Sequence, residues 1–357
     1  MNNHHVPDVG ALRRNLGAAL QLEHATIPPY LVALYSIQPG TNSEAYHVLR
    51  AVVVEEMLHL TLAANLLNAV GGDPDLTHDG FVPTYPACLP DGETDFEVSL
   101  QAFSKEAVET FLKIERPALS GGEEVRTVHR RKTRRSLRAA RVHDDSEEHF
   151  YSIGEFYQAI EHALVELHAE HGDALFNGDP ARQITAEYYY SGGGSIVPVT
   201  DLDSALAAIR LITEQGEGVG GAIFDYEDEI AHFYRFEQLM LGRYYRPGDA
   251  PGSPSGLPLE VDWDAVLPIK TNARLAHYPA GSELYAGAVA FNRYYADFLA
   301  LLTRAFQGEP KLLVEAVGEM FRIKDLAYQL MRQPIDGIAG PNAAPTFELS
   351  STGQDGS

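Results

Sequence analysis

Two short segments of the sequence pair a carboxylate with an imidazole three residues later: Glu56-Met-Leu-His59 and Glu229-Ile-Ala-His232. On a helix, side chains at i and i+3 project side by side, so one metal ion can take both groups. A lone pair of this kind is weak evidence, because a surface ion pair has the same spacing. The flanking residues carry more information. Positions 49, 52, 56, 59, 63, 66 and 70 read Leu, Val, Glu, His, Ala, Leu, Val, a stripe at alternating steps of three and four. Glu56 and His59 therefore stand in the middle of a face that packs inward. An unpartnered buried carboxylate costs several kcal/mol, so such a residue needs a partner. The first helix repeats the pattern, with Glu23 interrupting Leu12, Leu16, Ala19, Ile27, Tyr30 and Leu34. Glu229 and His232 run in register with Phe236 and Leu239. Three helices thus aim acidic or imidazole groups at one core.

Two Glu-x-x-His motifs joined by single glutamates from two further helices form the ligand set of a di-iron carboxylate bundle. Mixed carboxylate and imidazole ligation suits iron, with manganese as the alternative, better than thiolate-seeking metals. Two iron ions are the expected cofactor. Glu23 supplies one of the single glutamates, and two candidates stand for the other. Glu155 lies near the start of its helix, off the stripe through Ile153, Tyr157, Ile160 and Leu164. Glu214 would come level with Glu229 across an antiparallel hairpin. The expected metal ligands are therefore Glu23, Glu56, His59, Glu229 and His232, with Glu155, Glu214 or both completing the set. His24 points about 100° away from Glu23 and reads as a hydrogen-bonding neighbour, not a ligand. Tyr30 shares the face of Glu23 and either lines a pocket or packs.

The elements that must position these groups are helical, and the expected fold class is all-α, a helical bundle. Periodicity marks helices over Leu12–Ile37, Ser43–Val70, Ser152–His171, Asp203–Gln215, Tyr226–Arg243, Glu283–Phe306 and Lys311–Met331. Pro39-Gly40 and Gly71-Gly72-Asp73-Pro74 close the first two. A loop-rich insert spans 73–150. The Gly/Pro/Ser segment from Pro247 to Pro258 divides a metal-binding bundle over 1–246 from a C-terminal helical extension over 259–335, and a flexible tail follows over 336–357. The apolar faces of the last two helices suggest pairing into a homodimer. From Arg126 to Arg141 the chain reads RTVHRRKTRRSLRAAR. This run is either a solvated loop paired with the protein's own carboxylates or a lid that attracts an anionic substrate.

Composition narrows the function classes. The 357 residues carry a formal charge of −23, which disfavours nucleic acid and anionic membranes as partners. The single cysteine, Cys88, rules out an intramolecular disulfide framework and cysteine-rich metal sites. The N-terminal residues lack the apolar core of a secretory signal and no apolar run matches a bilayer, so a cytoplasmic protein is expected. Nucleophilic catalysis has no support: Gly-x-Ser-x-Gly does not occur, and Gly192-Gly193-Gly194 lacks the lysine of a phosphate loop.

Four segments resemble the ferritin-like domain of iminophenylpyruvate dimer synthases, enzymes of violacein-type bisindole pathways. They are Glu23-His24-Ala25-Thr26-Ile27-Pro28-Pro29-Tyr30-Leu31, Glu55-Glu56-Met57-Leu58-His59, Ala64 to Gly72, and Ile153-Gly154-Glu155-Phe156-Tyr157. The likeness extends through Gln215-Gly216-Glu217-Gly218 and His232-Phe233-Tyr234-Arg235-Phe236 to Gly340-Pro341 and Pro345-Thr346-Phe347. The violacein-type enzymes are much longer, so the resemblance is to their ferritin-like portion. It implies a ferritin-like bundle with a C-terminal helical extension and loop-rich insertions, and it favours Glu155 beside Glu23, Glu56 and His59 as a ligand. The expected function is an O2-dependent, non-haem di-iron oxidase or oxygenase acting on a small, amino-acid-derived molecule of specialised metabolism. The alternatives are metal-assisted condensation or isomerisation without O2, and non-enzymatic iron storage.

Overall fold

The computed structural model describes residues 8–90, 96–117, 152–190, 192–225, 228–335 and 340–349, with the backbone alone of 127–129, 148–150 and 219. Eight α-helices occur among them: α1 (Val9–Ser36), α2 (Ser43–Ala69), α3 (Lys105–Ile114), α4 (Ile153–His171), α5 (Leu202–Glu217), α6 (His232–Leu241), α7 (Glu283–Phe306) and α8 (Leu312–Met331). The fold is helical, as periodicity requires. A short antiparallel pair, β1 (Thr127–His129) and β2 (Glu148–Phe150), is the exception. The rest of the basic stretch from Arg126 to Arg141 lies outside the described residues.

Side-chain caps start the helices where free N–H groups need acceptors. Asp8 caps α1, Ser104 α3, Ser152 α4 and Ser282 α7, and Asp201 forms a reciprocal capping box at α5. Gly172, Gly218 and Gly242 follow the last residues of α4, α5 and α6, each at positive φ. α1 continues through Pro28 and Pro29.

Four helices close a ring, α1 packing on α2, α2 on α5, α5 on α4 and α4 back on α1. α3 and α6 pack together beside α2 and α5, while α7 and α8 pair with each other and lie against α2 and α1. The stripes predicted on α1 and α2 face inward: Leu12, Leu16 and Ala19 on α1 and Leu49, Val52 and Ala63 on α2 are all buried. Burying such side chains contributes about 1.5–3 kcal/mol each for the larger ones.

Three expectations change. The loop-rich insert expected over 73–150 contains α3, whose Ala107, Val108, Phe111 and Ile114 form an apolar face. The helix expected from Tyr226 begins at His232, because Ile230 and Phe224 form a β-bridge before it. The tail is packed over 340–349, where Ala343, Ala344 and Phe347 are buried and Phe347 meets Phe291 and Tyr295 of α7 edge-on. Apolar surface on a short segment found a place on the core. No helix among the described residues is long and apolar enough to cross a membrane.

Candidate metal centre

The ring of α1, α2, α4 and α5, covered by α3 and α6, encloses an acidic cluster. Glu23 enters from α1, Glu56 and His59 from α2, His232 from the first turn of α6, and Glu115 from the residue that ends α3. All five are buried, with exposures of 4% or less. They form two groups that share Glu56: Glu23, Glu56 and His59, and Glu56, Glu115 and His232. Within each group the candidate ligand atoms lie within 4.8 Å of one another.

Each imidazole is held from behind. His232 Nε2 lies 2.8 Å from Glu55 Oε2, and His59 Nε2 lies 2.9 Å from Gln215 Oε1. Gln215 donates its amide to the Gly193 carbonyl at 2.8 Å, which turns its oxygen toward His59. With Nε2–H donated outward, the neutral form of each ring leaves the Nδ1 lone pair facing the cluster. His59 Nδ1 stands 3.6 Å from Glu23 Oε2 and 3.7 Å from Glu56 Oε1. His232 Nδ1 stands 3.0 Å from the same Glu56 Oε1 and 3.5 Å from Glu115 Oε2. The two rings stack at 5.4 Å between centroids, inclined by 26°. His232 Nδ1 is buried and makes no hydrogen bond, although carboxylate oxygens stand near it.

The carboxylates are held in the same way. Tyr157 donates to Glu23 Oε1 at 2.5 Å, Tyr30 to Glu115 Oε1 at 2.5 Å and Thr26 to Glu56 Oε2 at 2.7 Å. In every case one oxygen is occupied by a hydroxyl and the other faces an imidazole. Burial, and then the Glu115 charge, push the Glu56 carboxyl up to about 7. Burial pulls His232 down, but Glu115, Glu55 and Glu56 outweigh it and hold the imidazole well above its ordinary value. His59 is likewise raised, with Glu23 and Glu56 overcoming burial. Tyr30 and Tyr157 are pushed up by burial and by the carboxylates they contact. Three carboxylates and two imidazoles packed this closely without a cation must share protons to balance their charge. The mixed carboxylate and imidazole donor set, with the buried Nδ1 of His232 among it, fits metal binding.

Of the expected ligands, the structure gathers Glu23, Glu56, His59 and His232. Glu229 is not among them. It precedes α6, so the i, i+3 geometry that would have aligned it with His232 does not exist; it is exposed and pairs with Arg235 at 3.0 Å. Glu155 is buried in the first turn of α4, and Glu214 is half-buried on α5, but neither belongs to either group. Glu115, which was not among the expected ligands, belongs to the second group. Its signal was in the sequence, since Ala107, Val108, Phe111 and Ile114 make an inward face that Glu115 continues, after a capping Ser104. Glu55 and Gln215, which hold the imidazoles, had no local signal. Glu217 is buried too and accepts the Gly154 N–H at 2.6 Å, tying α5 to the start of α4.

A family model for ferritin-like proteins matches residues 16–241, which contain every residue of the cluster. The chain belongs to the ferritin-like family. The ferritin-like chain is 28% identical over 330 residues to a dichlorochromopyrrolate synthase of Lentzea aerocolonigenes. It is 24% identical over 323 residues to a 2-imino-3-(indol-3-yl)propanoate dimerase of Chromobacterium violaceum. These alignments cover 84% and 82% of the chain but only 29% and 26% of the relatives, so the chain spans less than a third of their length. Both matches agree with the resemblance read from the motifs. A solved ferritin-like protein of Caulobacter vibrioides superposes with a TM-score of 0.60, at 22% identity, over 97% of this chain and 99% of its own. That likeness supports the ferritin-like fold alone.

Proposed function

We propose that this ferritin-like protein is a metal-dependent oxidative enzyme that binds two iron ions and acts with O2 on a small, amino-acid-derived molecule. The observation that carries the reading is the convergence of Glu23, Glu56, Glu115 and the Nδ1 atoms of His59 and His232 in one buried site, each held by a second group behind it. A bound pair of iron ions would supply the electrons and the Lewis acidity that oxygen chemistry requires. The chain's own contribution is positional. Thr26, Tyr30 and Tyr157 each occupy one carboxylate oxygen, so the other would be left to hold an ion, and Glu55 and Gln215 hold the Nε2 side of each imidazole. Burial by α3 and α6 excludes water, so the charges act in a low-dielectric site. The enzymatic reading and the amino-acid-derived substrate are supported by the two relatives, a synthase and a dimerase whose named substrate is an imino acid.

The dimerase also favours a second reading, metal-assisted coupling or isomerisation of an imino acid without O2. Oxygen uptake separates the two. The reduced, iron-loaded protein is supplied with aromatic imino acids generated in situ, with and without air. Substrate-dependent O2 consumption and a requirement for air support the oxidase; full turnover under strict anaerobiosis refutes it in favour of coupling.

A further inference from the structure

A second recessed region lies away from the acidic cluster, between α1 and α2 on one side and α7 and α8 on the other. His24, Ile27 and Leu31 line it from α1 and Met57 and Leu60 from α2; His24 and Met57 stand about 100° round their helices from Glu23 and Glu56, and Ile27 and Leu60 about 40°. Its surface is almost entirely apolar. Among the described residues that line it, none is acidic, lysine or arginine. Rings from Tyr35, Tyr189, Tyr295, Phe298 and Phe306 contribute much of the wall, and the thioethers of Met57 and Met320 add polarizable contacts that favour aromatic partners.

Of the polar groups in this lining, Thr61 donates its hydroxyl to the Met57 carbonyl and Tyr189 to the Gly192 carbonyl, whereas His24 and Tyr295 meet each other. His24 Nε2 lies 2.8 Å from the Tyr295 hydroxyl. His24 is only 1% exposed, and its Nδ1 has no hydrogen-bond partner. If the phenol donates to Nε2, Nδ1 carries a hydrogen with no acceptor; if Nε2–H donates instead, the phenol hydrogen has none. Either arrangement leaves one buried donor unsatisfied, a cost that a ligand oxygen would remove.

We propose that this cleft is a binding site for a neutral, flat aromatic molecule carrying one hydrogen-bond acceptor, which the His24–Tyr295 pair receives. An anionic amphiphile fits poorly, because no cation lines the cleft to balance its head group. The aromatic walls and the two methionines select rings over alkyl chains. The site is independent of metal, since it shares no side chain with the acidic cluster.

Isothermal titration calorimetry of the metal-free full chain with 2-naphthol tests this. Saturable one-site binding is expected, about tenfold tighter than naphthalene, with that preference lost in His24→Leu. Val317→Trp and, independently, Met320→Trp introduce an indole at half-buried positions on the α8 wall and should weaken binding at least tenfold, with their thermal unfolding checked to confirm folding. No saturable binding would overturn the site, as would binding unchanged in whichever tryptophan variant folds. Decanoate binding as tightly as 2-naphthol would overturn the assignment to a neutral aromatic ligand.

Discussion

Glu56 is the residue on which the proposed two-ion arrangement depends most. One of its oxygens faces both imidazoles, at 3.7 Å from His59 and 3.0 Å from His232, and it alone belongs to both ligand groups. His59 belongs to one group and His232 to the other. Replacing each histidine with alanine should therefore remove about one ion per chain, whereas Glu56→Gln, which keeps the shape but removes the charge, should remove nearly both. The thermal consequence follows from linkage. An ion held at a hundredfold excess over its dissociation constant stabilises the fold by about 2.7 kcal/mol. Unfolding entropy of about 2.1 cal/mol/K per residue over 357 residues is about 0.75 kcal/mol/K. Each occupied site should then raise the melting temperature by about 4 °C. Elemental analysis and scanning calorimetry under anaerobic Fe(II) give both quantities. The expected iron-dependent shift is about 7 °C in the wild type, about half that in His59→Ala and His232→Ala, and close to none in Glu56→Gln. Two ions retained in Glu56→Gln, or both lost in a single histidine variant, would refute the shared-carboxylate arrangement.

Four further outcomes follow from the contacts. Glu55→Gln weakens the acceptor for His232 Nε2, so iron affinity should fall about 10- to 100-fold at one site and not at the other, as read by chelator competition. Glu229→Gln should leave iron content unchanged, because that carboxylate is exposed on Arg235; a lost ion in this variant would restore the Glu-x-x-His reading. Tyr157→Phe leaves Glu23 Oε1 without its hydroxyl donor, and metal-free protein should lose about 1.5–3 kcal/mol by denaturant titration. Gly178→Ala would drive a Cβ to 1.7 Å from the Asn68 carbonyl, so a loss of about 1–3 kcal/mol is expected, seen as a lower melting temperature with iron content intact.

What the sequence determined by itself was local. Apolar residues at steps of three and four placed the seven helices it identified, and a charged residue inside such a stripe marked Glu23, Glu56 and His59 as buried before any contact was known. The family resemblance rested on the same segments. The choice of partners was decided only by tertiary structure. Whether Glu229 faces His232 depends on whether the helix has begun, and the β-bridge between Phe224 and Ile230 delays it to His232. Glu115 is 59 residues from Glu56 in sequence, yet it reaches the same imidazole because α3 packs on α6. Gln215 and Glu55 became imidazole acceptors through contacts 156 and 177 residues long. Helical periodicity reports which way a side chain points relative to its own axis; what stands opposite is set by how separate axes cross, and that depends on the summed packing of the whole core.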